Sequence, residues 1–346
     1  MKIFLKFPRK STHFILIGIS LFLISGCQNG EFNPDVSDIA IPTEIIRFEQ
    51  SFFKVDTQSI VQGIDQLIQQ YPDFSDVLFY QIINKPRHHD DIYETAKAFL
   101  SDTFIQHLYQ DCTQKYSRFE HLEKEFTKAF QYFRYYFPDK MIPSIYTCLS
   151  GFEVGSFTIG ENIVGAGLDF FLGKDYPFYD PNLFPEYIRK TMDMQFLVPK
   201  TIQAMVENYV GDPDGTRMLD IMIRNGKALY IKKKLLPETS DTIIFEHTGD
   251  QMKWLWKNES QIWAHFLEEK LLYETNFRKF QKLVTPSPNT PNMPPEAPGR
   301  VANWMGYNII SAYMKRNPDL TLAELLDQLD SQKILNDSKY KPRRSI

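Results

Sequence analysis

Imidazoles bind metal ions and move protons near neutral pH, so the seven histidines come first. They are His13, His88, His89, His107, His121, His247 and His265. A zinc peptidase carries two histidines four residues apart with a glutamate between them. Both rings then face one ion from one helix, and the carboxylate activates water. No such triplet occurs. The segment QFLVPKTIQAMVENYV (195–210), a helix following short strand-like segments near mid-chain, is where the triplet would sit. It holds no histidine and one acid, Glu207. His265, with Glu268 and Glu269 one turn on in IWAHFLEEK, is the best His–carboxylate group on a helix, but no second imidazole accompanies it. His88 and His89 beside Asp90 and Asp91 in KPRHHDD read as a solvated turn, and His107 and His121 as surface residues of amphipathic helices.

Nucleophiles are no better placed. There is no G-x-S-x-G elbow, and Cys112 sits in a polar helix without a histidine to activate it. Cys148 falls in a strand-like segment, where a small buried side chain is expected. Glu123 and Glu125 in HLEKEF point to opposite sides of a helix. Neither G-x-G-x-x-G nor G-K-[ST] is present, so phosphate-cradling loops have no support. The expectation is no catalytic residue and no metal ligand. A hydrolytic site assembled from distant residues such as His247, His265 and Glu269 would leave no local motif, and it stands as the alternative.

The surrounding elements read mostly as helices. In TQSIVQGIDQLIQQYPD, Ile60, Val61, Ile64, Leu67 and Ile68 share one face and Pro72 ends the pattern. Further helices are expected in SDVLFYQIIN, over 91–100 and 103–116, and in FEHLEKEFTKAFQYFRYYFPDK. From Met141 the texture changes to IPSIYTCLSG, GSFTIG and NIVGAGLDFFLG, short β-branched or aromatic runs punctuated by glycine, which predicts a small sheet. Gly165 and Gly167 indicate a bulge, a close approach of ligand or backbone, or a crowded strand crossing. Helices then resume, with Asn258 as an expected N-cap and Thr321 with Glu324 as a capping box. The segment 285–298, TPSPNTPNMPPEAP, with six prolines, is expected to run extended. Helices, a small central sheet, then helices again is an α+β order, mainly helical, rather than alternating βαβ units.

The first residues carry Lys2, Lys6, Arg9 and Lys10 and then the apolar run FILIGISLFLISG, which has the length of a signal-peptide core. The run ends in Ile24-Ser25-Gly26-Cys27, which is similar to a bacterial lipobox, with Cys27 as the lipid attachment site. Residues 1–26 are then a lipoprotein signal peptide, 27–42 a lipidated tether and 43–346 a single domain. Loss of four positive charges takes 39 basic against 43 acidic residues to 35 against 43, about −8. A body of that charge is not expected to bind nucleic acid.

Several stretches together resemble the gliding-motility lipoprotein GldB family of the Bacteroidota. They are the lipobox, RFEQSFFKVD, ENIVGAGLDFFLGKDYPFY, IRNGKALYIKKKLLP, NESQIWAHFLEEKLLY and PGRVANWMGYNIISAYMKRNP. The resemblance implies a periplasm-facing lipoprotein required for gliding and associated with type IX secretion. It also implies a core similar to predicted zinc-dependent proteases, with a zincin-like arrangement from about residue 141 onward and a helical part over about 43–140. NIVGAGLDFFLG would be the strand lining its cleft and NGKALY the segment after the metal helix. The metal motif itself is missing.

The reading that follows is a non-catalytic interaction or assembly module, a pseudo-metallopeptidase. Its groove and proline-rich loop would engage other gliding and secretion envelope proteins, and its one attached group would be the diacylglycerol and N-acyl (palmitate) lipid on Cys27. Asp169, Lys227, Arg300 and Trp304 are the expected groove contacts. The alternatives are the periplasmic hydrolase and a lipid or peptide carrier whose greasy groove is lined by Trp254, Trp256, Trp263 and Trp304.

Overall fold

Apolar residues at three- and four-residue spacing, interrupted by aspartates that cap the next turn, build the first third of the chain as helices. The computed structural model describes residues 33–41, 44–83 and 91–343. The lipobox with Cys27, His13 and the turn containing His88 and His89 lie outside the described residues. A short strand β1 (Ile45–Arg47) leads into α1 (Phe48–Phe52), α2 (Ile60–Gln70) and α3 (Pro72–Asp76), which runs on into a π-helical turn over Val77–Ile82. Pro72 both closes α2 and opens α3, a first-turn position where its missing N–H has no cost. Next come α4 (Ile92–Ser101) and α5 (Thr103–Lys115), whose first-turn N–H groups are accepted by Asp91 and Asp102, and then α6 (Glu120–Tyr136). Phe48 and Phe52 knit these helices into an aromatic core with Phe74, Phe79 and Phe99. Cys112 of α5 is buried in this core, against the expectation of a polar setting, and burial pushes its thiol far above the ordinary range.

The sheet has four strands in the order β1–β2–β4–β3, with β2 at Ser144–Cys148, β3 at Ser156–Ile159 and β4 at Ile163–Gly167. β1 and β4 run parallel to β2, while β3 forms an antiparallel edge on β4, with Phe157 opposite Gly165. A side chain at Gly165 would strike the Phe157 ring, and one at Gly167 the Val154 carbonyl. These glycines serve a crowded crossing.

After the sheet come α7 (Glu186–Arg189), α8 (Leu197–Val210), α9 (Met218–Leu235), α10 (Asp241–Ile244), α11 (Gly249–Lys257), α12 (Glu259–Glu268) and α13 (Phe277–Val284). Three more follow, α14 (Val301–Arg316), α15 (Leu322–Leu326) and α16 (Ser331–Ser338). α8 packs on the edge of the sheet at β3 and on α9, and α9 pairs extensively with α14. Gly226 of α9 and Gly306 of α14 make that pairing possible, because a Cβ on either would enter the backbone of the other helix. Thr321 and Glu324 form the expected capping box, and Asn258 stands at the N-cap of α12 as expected, although its side chain donates to the Trp254 carbonyl (2.8 Å) and makes no cap bond. The proline-rich segment is not extended. It folds back on itself, with Thr290 donating from N to Ala297 O (3.0 Å) and from Oγ1 to Pro298 O (2.6 Å). The result is a mainly helical α+β architecture, with the described residues from Asp35 on in one compact unit. Among the described residues, no helix is long and apolar enough to cross a membrane.

Candidate functional site

A cleft of about 530 Å³ opens where α8, α9, the α10–α11 turn, the start of the proline-rich segment and the start of α14 meet beside the first residues of β3. That volume lies in the range of small-molecule and peptide sites. Phe170, Phe171, Ile188, Met192, Leu229 and Trp304 form its apolar wall. Its floor is charged. Glu246 sits in the tight turn after α10 with φ +56°, held by Glu246 N to Ile243 O (3.3 Å) and His247 N to Thr242 O (3.0 Å). Arg300 precedes α14 with φ +62°. Both partners of one ion pair therefore occupy the left-handed region that side chains other than glycine seldom adopt, a strain that must be held by the surrounding packing.

Arg300 Nη1 lies 3.0 Å from Glu246 Oε2, and Lys200 Nζ of α8 lies 3.4 Å from the same oxygen. Lys232 of α9, 1% exposed, donates to the Ile244 carbonyl at 3.1 Å. Lys190 reaches Gln251 Oε1 at 3.2 Å. Burial alone would raise the Glu246 carboxyl, but Lys200, Arg300 and Lys232 outweigh it and hold the group well below the carboxylate range. Burial, with Arg300 and Lys200 adding to it and Glu246 opposing, pushes Lys232 and Lys190 down to about 8. His247 is held well below its ordinary value by burial and then by Arg300 and Lys190, so its ring is neutral at pH 7. Its Nδ1 and Gln203 Oε1 are buried on this cleft without a hydrogen-bond partner.

Three cations on the lining, Lys200, Lys232 and Arg300, thus face one buried carboxylate, with Glu207 of α8 as the other acid on the lining and Lys190 off it. Such a surface can hold an anion. The lining hydroxyls are engaged elsewhere: Ser156 with Thr201 Oγ1 (3.3 Å), Thr191 with Ile188 O (2.9 Å) and Thr285 with Gln281 O (2.9 Å). Among the described residues no group of three His, Cys, Asp or Glu side chains is placed to share a metal ion. His247 lines the cleft, and His265 and Glu269 do not.

Of the residues singled out from sequence, Arg300 and Trp304 line the cleft. Asp169 and Lys227 do not. Asp169 is 0% exposed beneath the 150–154 turn, accepting from Phe152 N (2.7 Å) and from Ser150 N (3.3 Å) and Oγ (3.2 Å). Lys227 donates to the Gln328 carbonyl at 2.9 Å. The four tryptophans do not share a groove. Trp256 is exposed under the Arg343 guanidinium and Trp263 packs edge-on against Tyr340, and with Trp254 they stay off the cleft. The charged residues missed were Lys200, Lys232 and Glu246. The one local trace was Lys200, a cation that follows the apolar Leu197, Val198 and Pro199 at the start of α8.

No curated protein and no solved structure matches the chain significantly. Residues 29–342 match the family model described as gliding motility protein GldB, a lipoprotein family, and the chain belongs to that family.

Proposed function

We propose that this member of a gliding motility family is a lipid-anchored, periplasm-facing and non-catalytic component, linked to type IX secretion, that grips another envelope protein in the cationic cleft. The observation carrying this reading is the mismatch on the cleft floor. Lys200, Lys232 and Arg300 surround the single buried carboxylate of Glu246, and two buried polar atoms on the same cleft lack partners. Buried polar groups in folded proteins are nearly always satisfied, so a cluster left with surplus charge and open valences suits a group brought by another molecule. A degenerate protease-like groove, as the resemblance implies, supplies the architecture for holding a chain without cutting it.

The anchor and the cleft are tested separately. Cys27→Ala is expected to release the protein from the membrane fraction; continued sedimentation with lipidation intact would remove the anchor. A photo-crosslinking residue in place of Ala204, on the cleft wall, is expected to capture an envelope protein in living cells. The adduct should vanish when Lys200→Glu is added. An adduct indifferent to Lys200 would contradict the cleft as the docking surface.

A further inference from the structure

We propose that the cleft takes the free carboxylate at the end of a polypeptide chain, an inference that rests on the cleft being the partner-binding surface. Charge is the first support. After Glu246 has matched one of the three lining cations, Lys200, Lys232 and Arg300, positive charge is left over around the same space. The second is α14. Its first turn begins on the cleft wall at Arg300 with no side-chain cap and no acidic residue of its own, so the positive end of a sixteen-residue helix adds to the cations, with Glu246, paired to Arg300, as the carboxylate beside it.

The unpartnered atoms narrow the ligand. Gln203 Oε1 is an acceptor in need of a donor, and His247, 6% exposed and neutral, has an unmet Nδ1. A terminal carboxylate accepts from Lys200 and Arg300 in charge-assisted bonds, near the positive end of α14. The last peptide N–H is the donor that Gln203 lacks. Phe171, Ile188, Met192, Leu229 and Trp304 then give an apolar terminal side chain its contact. Inorganic phosphate would satisfy the charge, and its P–OH the acceptor, but it would leave this apolar wall unused.

The full-length protein, solubilised in detergent, is titrated with N-acetylated tetrapeptides ending in leucine or phenylalanine, as free acids and as C-terminal amides, with inorganic phosphate as competitor. The acids are expected to bind and the amides to bind at least tenfold more weakly. Lys200→Gln, at a side chain 30% exposed, should weaken the acid by a similar factor with the melting temperature little changed, so the test does not hinge on a variant that fails to fold. Equal binding of acid and amide, binding of neither, or displacement by phosphate at lower concentration than the acid peptide would overturn the assignment. If that happens while Lys200→Glu still abolishes capture in cells, only the carboxylate inference falls.

Discussion

Asp169 and Glu246 are both carboxylates withdrawn from water. Around Asp169 every partner is neutral and internal: Ser150 and Phe152 donate to it, no cation approaches, and burial raises its carboxyl to about 6. Around Glu246 stand Lys200, Arg300 and Lys232, which overcome the same burial and keep it ionised. The first centre is closed, a turn tied to the end of a sheet. The second is open, with more positive charge than its own carboxylate uses and a cleft in front of it. Burial of charge therefore does not by itself mark a site; imbalance facing accessible space does.

The two centres should respond differently to loss of charge. Glu246→Ala leaves buried cations without their counter-ion and is expected to cost about 3–5 kcal/mol in denaturant unfolding. Asp169→Asn keeps an acceptor for the Phe152 N–H and removes a charge that burial disfavours, so its change at pH 7 should stay within about 1 kcal/mol. Equal losses would erase the distinction.

Their pH dependences differ in place as well. Lys232 titrates at about 8 when folded against 10.5 as its reference, so the unfolded chain binds more protons between those values and stability rises with pH across that window. The gain from Lys232 is on the order of 3 kcal/mol at most, read as a shift in urea midpoint, and Lys232→Met should remove it. Asp169, raised to about 6 from 3.8, works at the other end. The folded state holds its proton longer, so the stabilisation present below pH 3.8 is lost as pH rises to 6, and Asp169→Asn should flatten that slope.

The smallest effect on stability is expected at Lys200→Gln, below about 1 kcal/mol for a partly exposed ion pair, although it is the change that should cost the cleft its ligand. A large loss of stability there would mean that Lys200 supports the fold instead of receiving a partner.

Helices with three- and four-residue apolar spacing, the capping box at Thr321 and Glu324, and three of the four strands could be read in advance, because their signals are local. β1 could not, since three residues are too few to show alternation and its role is set by pairing with β2, a hundred residues on. The proline-rich segment misled because proline stiffness suggests extension, whereas Thr290 bonds across it and closes a loop. The cleft was half visible. Arg300 and Trp304 stood out beside the proline-rich loop, but their partners come from α8, α9 and the turn after α10, and the Arg300–Glu246 pair spans 54 positions. Asp169 was marked by its place beside the glycine-rich strand, and nothing local distinguishes a carboxylate that ties a turn from one that meets a ligand.

On the proposal made above, surplus positive charge in the cleft is what the protein uses in gliding. Surface gliding of cells whose only copy carries Lys200→Glu, set against cells carrying Lys227→Met in the closed interior of α9, tests it most directly. With both variants present at normal level in the membrane fraction, the account predicts that the first strain stops gliding and the second continues. Undiminished gliding with Lys200→Glu would contradict it.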